Sequence, residues 1–203
     1  MWVLTLGDLW SALTGERPVQ GGLAGLDLAS IATDSRTAEP GSLFVALRGE
    51  RRDGHEFVAD AFARGSLAAL VSRPVEGCTP PYPVQGPFPQ GAKAPICLLV
   101  PDVLRALQDL AGYSRRQHPA LRVTAVTGSV GKSSTKEAVA AVLSRRYRVL
   151  KSEGNYNNEI GLPLTLLQVR PEHERAVLEM GMYALGEIAR LVEISTPSVG
   201  VVT

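Results

Sequence analysis

The chain has 203 residues, of which 45% are hydrophobic and 20% are charged, and its formal net charge at pH 7 is +1. This length can bury a sizeable core in one large or two small domains, and a charge so close to zero gives no case for a nucleic-acid-binding surface. No apolar run reaches membrane-spanning length and no basic start leads into a secretory core, so we expect a cytoplasmic protein without a membrane span.

The first hundred residues predict a small α/β domain. The chain starts with the pattern of a strand and then a helix, for which Thr5 is the expected N-cap and Gly15 the expected stop. The elements expected next, in chain order, are strands over 30–36 and 42–47, a helix over 56–64, and strands over 67–71 and 96–100. Alternation of this kind is typical of α/β folds.

The stretch 74–95 interrupts this pattern, because it holds seven of the fourteen prolines of the chain. Proline disrupts helices and central strands, so we predict an irregular surface insertion within the first domain. A recognition segment for a proline-binding module is the alternative. Cys78 and Cys97 form no C-x-x-C pair, and we expect them to be reduced, without a metal or a disulfide.

A second domain is predicted to follow a long amphipathic helix over 102–117, which His118-Pro119 ends. We divide the chain into a first domain over 1–100, a connecting helix within 101–119 and a second domain over 120–203. In the second domain we expect a mostly parallel sheet that includes a strand from Val123 and strands over 148–150, 176–178 and 199–202. Its first helix, over 133–146, is expected to bury Ala138, Val139, Val142 and Leu143.

The segment 123–135, Val-Thr-Ala-Val-Thr-Gly-Ser-Val-Gly-Lys-Ser-Ser-Thr, carries the main chemical signal. Gly128 and Gly131 let the backbone turn its N–H groups inward, and the helix that follows adds partial positive charge. Lys132 can reach the β- and γ-phosphates of a nucleotide, and the Ser133 hydroxyl can bind Mg²⁺. The predicted ATP-binding residues are Gly128, Ser129, Val130, Gly131, Lys132, Ser133 and Ser134. The alternative is a Gly/Ser turn that precedes a lysine by coincidence.

Several blocks of residues resemble the Mur ligases, the ATP-dependent enzymes that extend the peptidoglycan stem peptide. The blocks are Asp34-Ser-Arg36, Pro40-Gly-Ser-Leu-Phe-Val-Ala-Leu-Arg-Gly49, Asp53-Gly-His55, Glu153-Gly-Asn-Tyr-Asn-Asn-Glu-Ile-Gly-Leu-Pro-Leu-Thr-Leu-Leu167, Leu178-Glu-Met-Gly-Met182 and Gly186-Glu-Ile188. The Asn-x-Asn-Asn-Glu-Ile-Gly-x-Pro form is similar in particular to the family members that join D-Ala-D-Ala to UDP-MurNAc-tripeptide. The family loop usually reads Thr-Gly-Ser-Asn-Gly-Lys-Thr, so Val130 and Ser133 are departures from it.

The resemblance implies an ADP-forming ligase that uses ATP and Mg²⁺ and forms an acyl phosphate. It implies that Lys132 and Glu179 are catalytic and that Ser133 and Glu179 bind the metal. It also implies that Asn155 and Asn158 lie in a polar loop of the central site. The UDP-sugar contacts that it implies are Asp34, Ser35, Arg36, Arg48, Gly49 and His55. For these residues the alternative is a surface strand end with a structural ion pair, and for His55 it is a histidine that starts a helix.

Mur ligases continue through the rest of the ATPase domain and a third domain, which hold further metal ligands and the D-Ala-D-Ala contacts. We therefore expect this chain to be the N-terminal part of such a ligase, truncated at Thr203, monomeric and inactive alone. One alternative is a relative that binds a nucleotide or UDP-sugar without ligating anything. Another is a different Mur-type or folylpolyglutamate-type ligase.

Overall fold

The computed structural model describes residues 4–203 except 20, 50–51, 77, 79–80, 155 and 183. The chain divides into two compact units, of which the first ends at Leu107 and the second begins at Gln108. The division falls within the helix Val103–Arg116. Each unit is built on a parallel sheet with helices, which confirms the α/β fold class.

The first unit holds a five-stranded sheet in which every pairing is parallel and whose strand order is β1-β2-β3-β5-β4. Its strands are β1 (Ile31–Ala32), β2 (Leu43–Val45), β3 (Ala68–Val71), β4 (Tyr82–Pro83) and β5 (Ile96–Leu99), and its helices are α1 (Leu6–Thr14) and α2 (Val58–Ala63). Every residue of β2 and β3 is buried, as expected for apolar strands in the interior of a parallel sheet.

Helix α1 begins and ends as its sequence predicts. The Thr5 hydroxyl accepts the N–H of Asp8 while the Asp8 carboxylate accepts the N–H of Thr5, and Gly15 closes the helix with φ 77°. The strand expected before the helix falls largely on residues 1–3, outside the described residues.

Two elements of the first unit differ from the prediction. The strand expected over 30–36 covers only β1, because the Asp34 side chain accepts the N–H of Arg36 and turns the chain into a 3₁₀ helix over Ser35–Thr37. The helix expected over 56–64 starts as a 3₁₀ turn over Gly54–Phe57 before α2.

The proline-rich stretch contributes only the two-residue strand β4, at the edge of the sheet. This position agrees with the expectation that proline excludes a central strand. The stretch also packs inward, because the Phe88 ring meets the Trp10 ring of α1 edge-on with centroids 5.3 Å apart. Most of its described residues are exposed or half-buried, so the stretch lies at the surface. Both cysteines are free.

The second unit holds a four-stranded parallel sheet with strand order β7-β8-β6-β9. Its strands are β6 (Arg122–Thr127), β7 (Val149–Lys151), β8 (Arg175–Glu179) and β9 (Val199–Val202). The helices from the division onward are the later part of α3 (Val103–Arg116), α4 (Lys132–Leu143), α5 (Gly161–Leu166) and α6 (Glu187–Ser195). The register pairs Val126 of β6 with Glu179 of β8, so these two strands end side by side.

The predicted inner face of α4 is wrong at two positions. Ala138 and Val142 are exposed, whereas Lys136 and Ala140 are buried. The buried stripe runs through positions 136, 139, 140 and 143, which share one side of a helix with 3.6 residues per turn. In the described part of the chain, no helix is long and apolar enough to cross a membrane.

Candidate functional site

A glycine-containing loop over 128–131 connects the end of β6 to the start of α4. Gly128 and Gly131 have φ values of 133° and 86°, a region that favours glycine. A β-carbon on Gly128 would lie 2.0 Å from the carbonyl oxygen of Thr203. The Ser129 N–H donates to that same carbonyl at 3.2 Å, so the loop lies directly against the end of β9.

The N-terminus of α4 has the properties of an anion site. Among the described residues no side chain caps this twelve-residue helix, so its first N–H groups remain available to a ligand. The helix dipole adds partial positive charge at the same place. Val130, which stands at the position of the usual asparagine, extends into solvent with 81% of its surface exposed. The loop therefore retains the backbone features that bind phosphate, without the asparagine side chain.

Lys132 lies over the loop that precedes it. Its ammonium donates to the carbonyl oxygen of Gly128 at 2.9 Å. A hydrogen bond from a charged group to a neutral carbonyl stabilises a protein by about 1.5–3 kcal/mol net, and a negatively charged phosphate oxygen is a stronger acceptor that can replace the carbonyl. Ser133 and Ser134 follow in the first turn, and both are exposed.

Glu179 is the last residue of β8 and is 98% buried, with a relative exposure of 2%. Its Oε1 accepts a hydrogen bond from Asn157 Nδ2 at 2.9 Å, and its N–H donates to Ser152 Oγ at 3.2 Å. Its Oε2 is buried and has no hydrogen-bond partner in the described part of the chain. The Lys136 ammonium lies 4.0 Å from Oε2, beyond hydrogen-bond distance.

This free oxygen fits a divalent cation. A buried carboxylate oxygen without a hydrogen-bond partner is costly, and a bound cation would offset that cost. Hard oxygen donors are the ligands that Mg²⁺ prefers, and the exposed Ser133 hydroxyl in the first turn of α4 is a donor of the same chemical kind. The described residues contain no group of three or more His, Cys, Asp or Glu suited to a metal.

Two hydrogen bonds hold the end of β6, which leads into the loop over 128–131 (the phosphate loop), beside the end of β8, which carries Glu179. The Met180 N–H donates to the Val126 carbonyl at 2.8 Å, and the Thr127 hydroxyl donates to the Met180 carbonyl at 2.9 Å. The two strand ends are therefore held in fixed register, with the phosphate loop after one and the buried carboxylate at the end of the other. In parallel α/β sheets, ligands bind at this edge.

Two asparagines in the loop before α5, Asn157 and Asn158, make different contacts. Asn157 contacts Glu179, and its carbonyl accepts the N–H of Gly181 at 2.7 Å. The Asn158 side-chain oxygen accepts the N–H of Gly161 at 2.8 Å and so caps the start of α5. Asn155 lies outside the described residues. The resemblance favoured a site role for Asn155 and Asn158 in this polar loop, whereas the residue that contacts Glu179 is Asn157 of the same block.

In the first unit, Asp34 and Arg36 form an ion pair at the surface. Hydrogen bonds from the Arg36 side chain and backbone lower the pKa of Asp34 to about 2. Ser35 is buried between them, whereas Arg48 and Gly49 are exposed. The geometry thus shows the structural ion pair, and a role for these residues in binding a UDP-sugar stays a prediction.

His55 is buried, and both of its ring nitrogens are engaged. Nε2 accepts the N–H of Ser72 at 2.9 Å, so Nδ1 carries the proton and donates to Asp53 Oδ1 at 2.6 Å. The Asp53 carboxylate also accepts the His55 N–H and a bond from Arg73. These bonds, first of all the one from the His55 backbone, hold the pKa of Asp53 far below its usual range. The geometry favours the structural interpretation of His55.

Comparisons with known proteins place the chain among one family of enzymes. Residues 27–115 match the sequence model of the Mur ligase family, catalytic domain, and residues 126–203 match that of the Mur ligase middle domain. The chain is 43% identical to the UDP-N-acetylmuramoyl-tripeptide–D-alanyl-D-alanine ligase of Escherichia coli over 199 residues, which is 98% of the chain. It spans only 39% of that relative's length.

Solved structures give the same picture. A crystal structure of MurF from Acinetobacter baumannii superposes with a TM-score of 0.81 at 36% identity, covering 100% of this chain and 41% of that one. The crystal structure of MurF ligase from Thermotoga maritima in complex with ADP has a TM-score of 0.70 at 32% identity, covering 83% of this chain and 35% of that one.

Proposed function

The chain belongs to the Mur ligase family, and we propose that it forms the nucleotide-binding part and the UDP-sugar-binding part of a ligase of peptidoglycan synthesis. This enzyme would join D-Ala-D-Ala to UDP-MurNAc-tripeptide at the expense of ATP. The observation that carries the proposal is the fixed register that brings the end of β8, with its buried Glu179, beside the start of the phosphate loop. The 43% identity to the E. coli ligase supports this particular member of the family.

The reaction needs a carboxylate anion to approach a polyanion, so charge neutralisation and positioning dominate catalysis. The loop N–H groups and the Lys132 ammonium bind the phosphates of ATP and lower their negative charge. Ser133 and the free Oε2 of Glu179 would hold Mg²⁺, which neutralises phosphate charge when bound. Asn157 fixes Oε1 of Glu179 and so leaves Oε2 for this purpose.

The proposed reaction has two steps. A terminal carboxylate oxygen of the tripeptide attacks the γ-phosphorus of ATP, and the bond to ADP breaks to leave an acyl phosphate and ADP. The amine of D-Ala-D-Ala then attacks the acyl carbon, an amide bond forms, and inorganic phosphate leaves with the bonding electron pair. The amine loses its proton to solvent in this scheme. Lys132 and the loop amides stay with the phosphoryl group in the first step.

The first unit would bind the UDP-sugar through Asp34, Ser35, Arg36, Arg48 and Gly49. The Arg36 guanidinium can pair with two oxygens of a diphosphate at once, although Asp34 holds it in the structure. His55 would contribute by fixing the end of β3 through Ser72. Both ATP and a UDP-sugar are cytoplasmic metabolites, so we propose a cytoplasmic enzyme. We also propose that it is a monomer, with domains over 1–100 and 120–203 and a connecting helix within 101–119.

The experiment that tests the proposal is calorimetric titration of ATP with Mg²⁺ and, separately, of UDP-MurNAc-tripeptide. Lys132→Ala removes the cation that neutralises the phosphates, so we expect ATP affinity to fall by about tenfold or more, which is about 1.4 kcal/mol. UDP-MurNAc-tripeptide binding should stay unchanged. The control is Lys151→Ala, which removes an exposed lysine that pairs with Glu137 on α4.

Equal loss of ATP affinity in both lysine variants, or loss of UDP-sugar binding with Lys132→Ala, contradicts the proposal. A phosphate-release assay with both substrates completes it. We expect no turnover from these 203 residues alone, because the relatives that carry the activity are more than twice as long. Ligation by this chain would overturn that expectation.

A further inference from the structure

Lys136 is a buried lysine that the proposed reaction does not use. It lies one turn after Lys132 on α4, and only 2% of its surface is exposed. A buried ammonium is costly unless acceptors and opposite charges compensate it. Lys136 lies among such groups, which are two backbone carbonyls after β7 and the carboxylates of Glu137 and Glu179.

The three N–H donors of Lys136 face three acceptors other than Glu179. Its Nζ donates to the Ser152 carbonyl at 2.8 Å and to the Gly154 carbonyl at 3.5 Å, and it forms an ion pair with Glu137 Oε1 at 3.3 Å. An ammonium has only three protons to give. Glu179 Oε2, at 4.0 Å, therefore experiences the positive charge without receiving a hydrogen bond.

We propose that Lys136 is a charge-balancing residue that makes divalent-cation binding at Glu179 depend on bound nucleotide. The inference rests on the proposed function, since it concerns the same Mg²⁺–nucleotide site. Without nucleotide, the fixed lysine offsets the single negative charge of Glu179 and repels a second cation. The phosphates of a bound nucleotide supply the additional negative charge that a divalent cation needs. The cation thus binds together with the nucleotide.

The carbonyl contacts keep the lysine in this role. The Ser152 carbonyl accepts a hydrogen bond from the Lys136 ammonium, and the Ser152 hydroxyl accepts one from the Glu179 N–H. One buried residue therefore contacts both Lys136 and Glu179. The lysine cannot withdraw when a metal ion arrives without breaking these bonds. Its repulsion is therefore a fixed property of the site.

The test measures Mn²⁺ affinity by electron paramagnetic resonance, with and without ADP, on the whole 203-residue chain. Lys136→Gln keeps an N–H donor for the Ser152 carbonyl but removes the charge, and Lys136→Met removes both. We expect both variants to tighten nucleotide-free Mn²⁺ binding by about tenfold or more, because a cation close to the site is gone. Damage to the fold does not tighten binding, so a purely structural role predicts unchanged or weaker affinity.

Three controls sharpen the result. Lys136→Arg retains the charge and should bind nucleotide-free Mn²⁺ like the unmodified chain. Lys151→Gln removes the exposed lysine on the same Glu137 and should also change nothing. In a Glu179→Gln background, Lys136→Gln should change Mn²⁺ affinity by less than about twofold. The carboxylate at which Lys136 would oppose cation binding is then absent, so the two substitutions are not additive.

Two outcomes overturn different claims. If ADP does not tighten Mn²⁺ binding by the unmodified chain and Glu179→Gln has no effect, the proposed nucleotide and metal site is wrong. If ADP tightens Mn²⁺ binding and Glu179→Gln abolishes this effect, but both neutral variants of Lys136 leave nucleotide-free affinity unchanged or weaker, only the charge-balancing role of Lys136 is wrong.

Discussion

Gly128 is the residue on which the shape of the phosphate loop depends most directly. Its φ of 133° and the nearness of Thr203 both exclude a side chain. We expect Gly128→Ala to lower the free energy of unfolding by about 1–3 kcal/mol and to weaken ADP binding, because the loop has to move. Urea unfolding and ADP titration measure the two effects. Gly200→Ala is the matched control, since its β-carbon would enter open space, and equal effects of the two changes would contradict this explanation.

The pair of His55 and Asp53 predicts how stability responds to acid. The pKa of Asp53 is lowered in the folded chain, so its contribution is present above the unfolded pKa of about 4 and is lost as the pH falls through the folded value. Asp53→Asn should therefore destabilise the chain at neutral pH, and the difference from the unmodified chain should shrink in strong acid. Urea unfolding at a series of pH values tests this. A difference that grows as the pH falls would have the wrong sign.

The roles of single residues were predictable from the sequence where a backbone motif requires a particular residue type. They were less predictable where the role depends on whether the side chain is buried. The glycines and Lys132 follow from the order of strand, loop and helix. Lys136 carries no such signal, because a lysine on a helix usually faces solvent. It is buried because the end of β7 offers it two carbonyl oxygens. The choice among the asparagines also depended on side-chain directions that spacing does not reveal.

At the scale of elements, Arg115 of α3 joins three segments of the second unit. Its guanidinium is buried and donates to the carbonyls of Ser195, His118 and Leu121 at 2.8–3.0 Å. Burial lowers the pKa of this group. The bonds tie the end of α3 to the end of α6 and to the start of β6, so this arginine holds helices against the sheet.

Arg115→Met should therefore lower the free energy of unfolding by about 2–4 kcal/mol, because buried carbonyls lose their donors. The control is Arg116→Met, which changes the exposed neighbour on the same helix turn and should shift stability by less than about 0.5 kcal/mol. Thermal or urea unfolding of both variants provides the comparison. Similar losses in the two variants would show that the buried bonds do not stabilise the unit.

Elements with strong periodicity or clear caps were predictable, and short ones governed by local bonds were not. Helix α1 follows from Thr5 and Gly15, and α3 from its apolar spacing. The strand predicted over 30–36 ends early because the Asp34 side chain accepts a hydrogen bond from the Arg36 N–H. Helix α6 was not predicted, because its nine residues begin after Gly186, with φ 95°, and not after a capping side chain.

In the whole molecule, the alternation of apolar strands and helices was enough to predict two α/β domains and a mostly parallel sheet in the second, whereas the parallel sheet of the first unit was not predicted. Strand order was beyond the sequence, because β4 and β5 exchange places relative to chain order and β6 lies between β8 and β9. The place of β6 beside β8 brings the phosphate loop next to Glu179. The chain spans 39% of its E. coli relative, and the catalytic cycle proposed above belongs to the whole enzyme.

We propose that the loop after β6 and the buried carboxylate of β8 form one Mg²⁺–nucleotide site. The most direct measurement is the affinity of this chain for ADP, by calorimetry, in Mg²⁺ and in EDTA, before and after Glu179→Gln. We predict tighter binding in Mg²⁺ than in EDTA, and loss of that difference in the variant, because Oε2 is then no longer a carboxylate oxygen. An affinity that ignores Mg²⁺, or a Mg²⁺ effect that survives Glu179→Gln undiminished, would contradict the account.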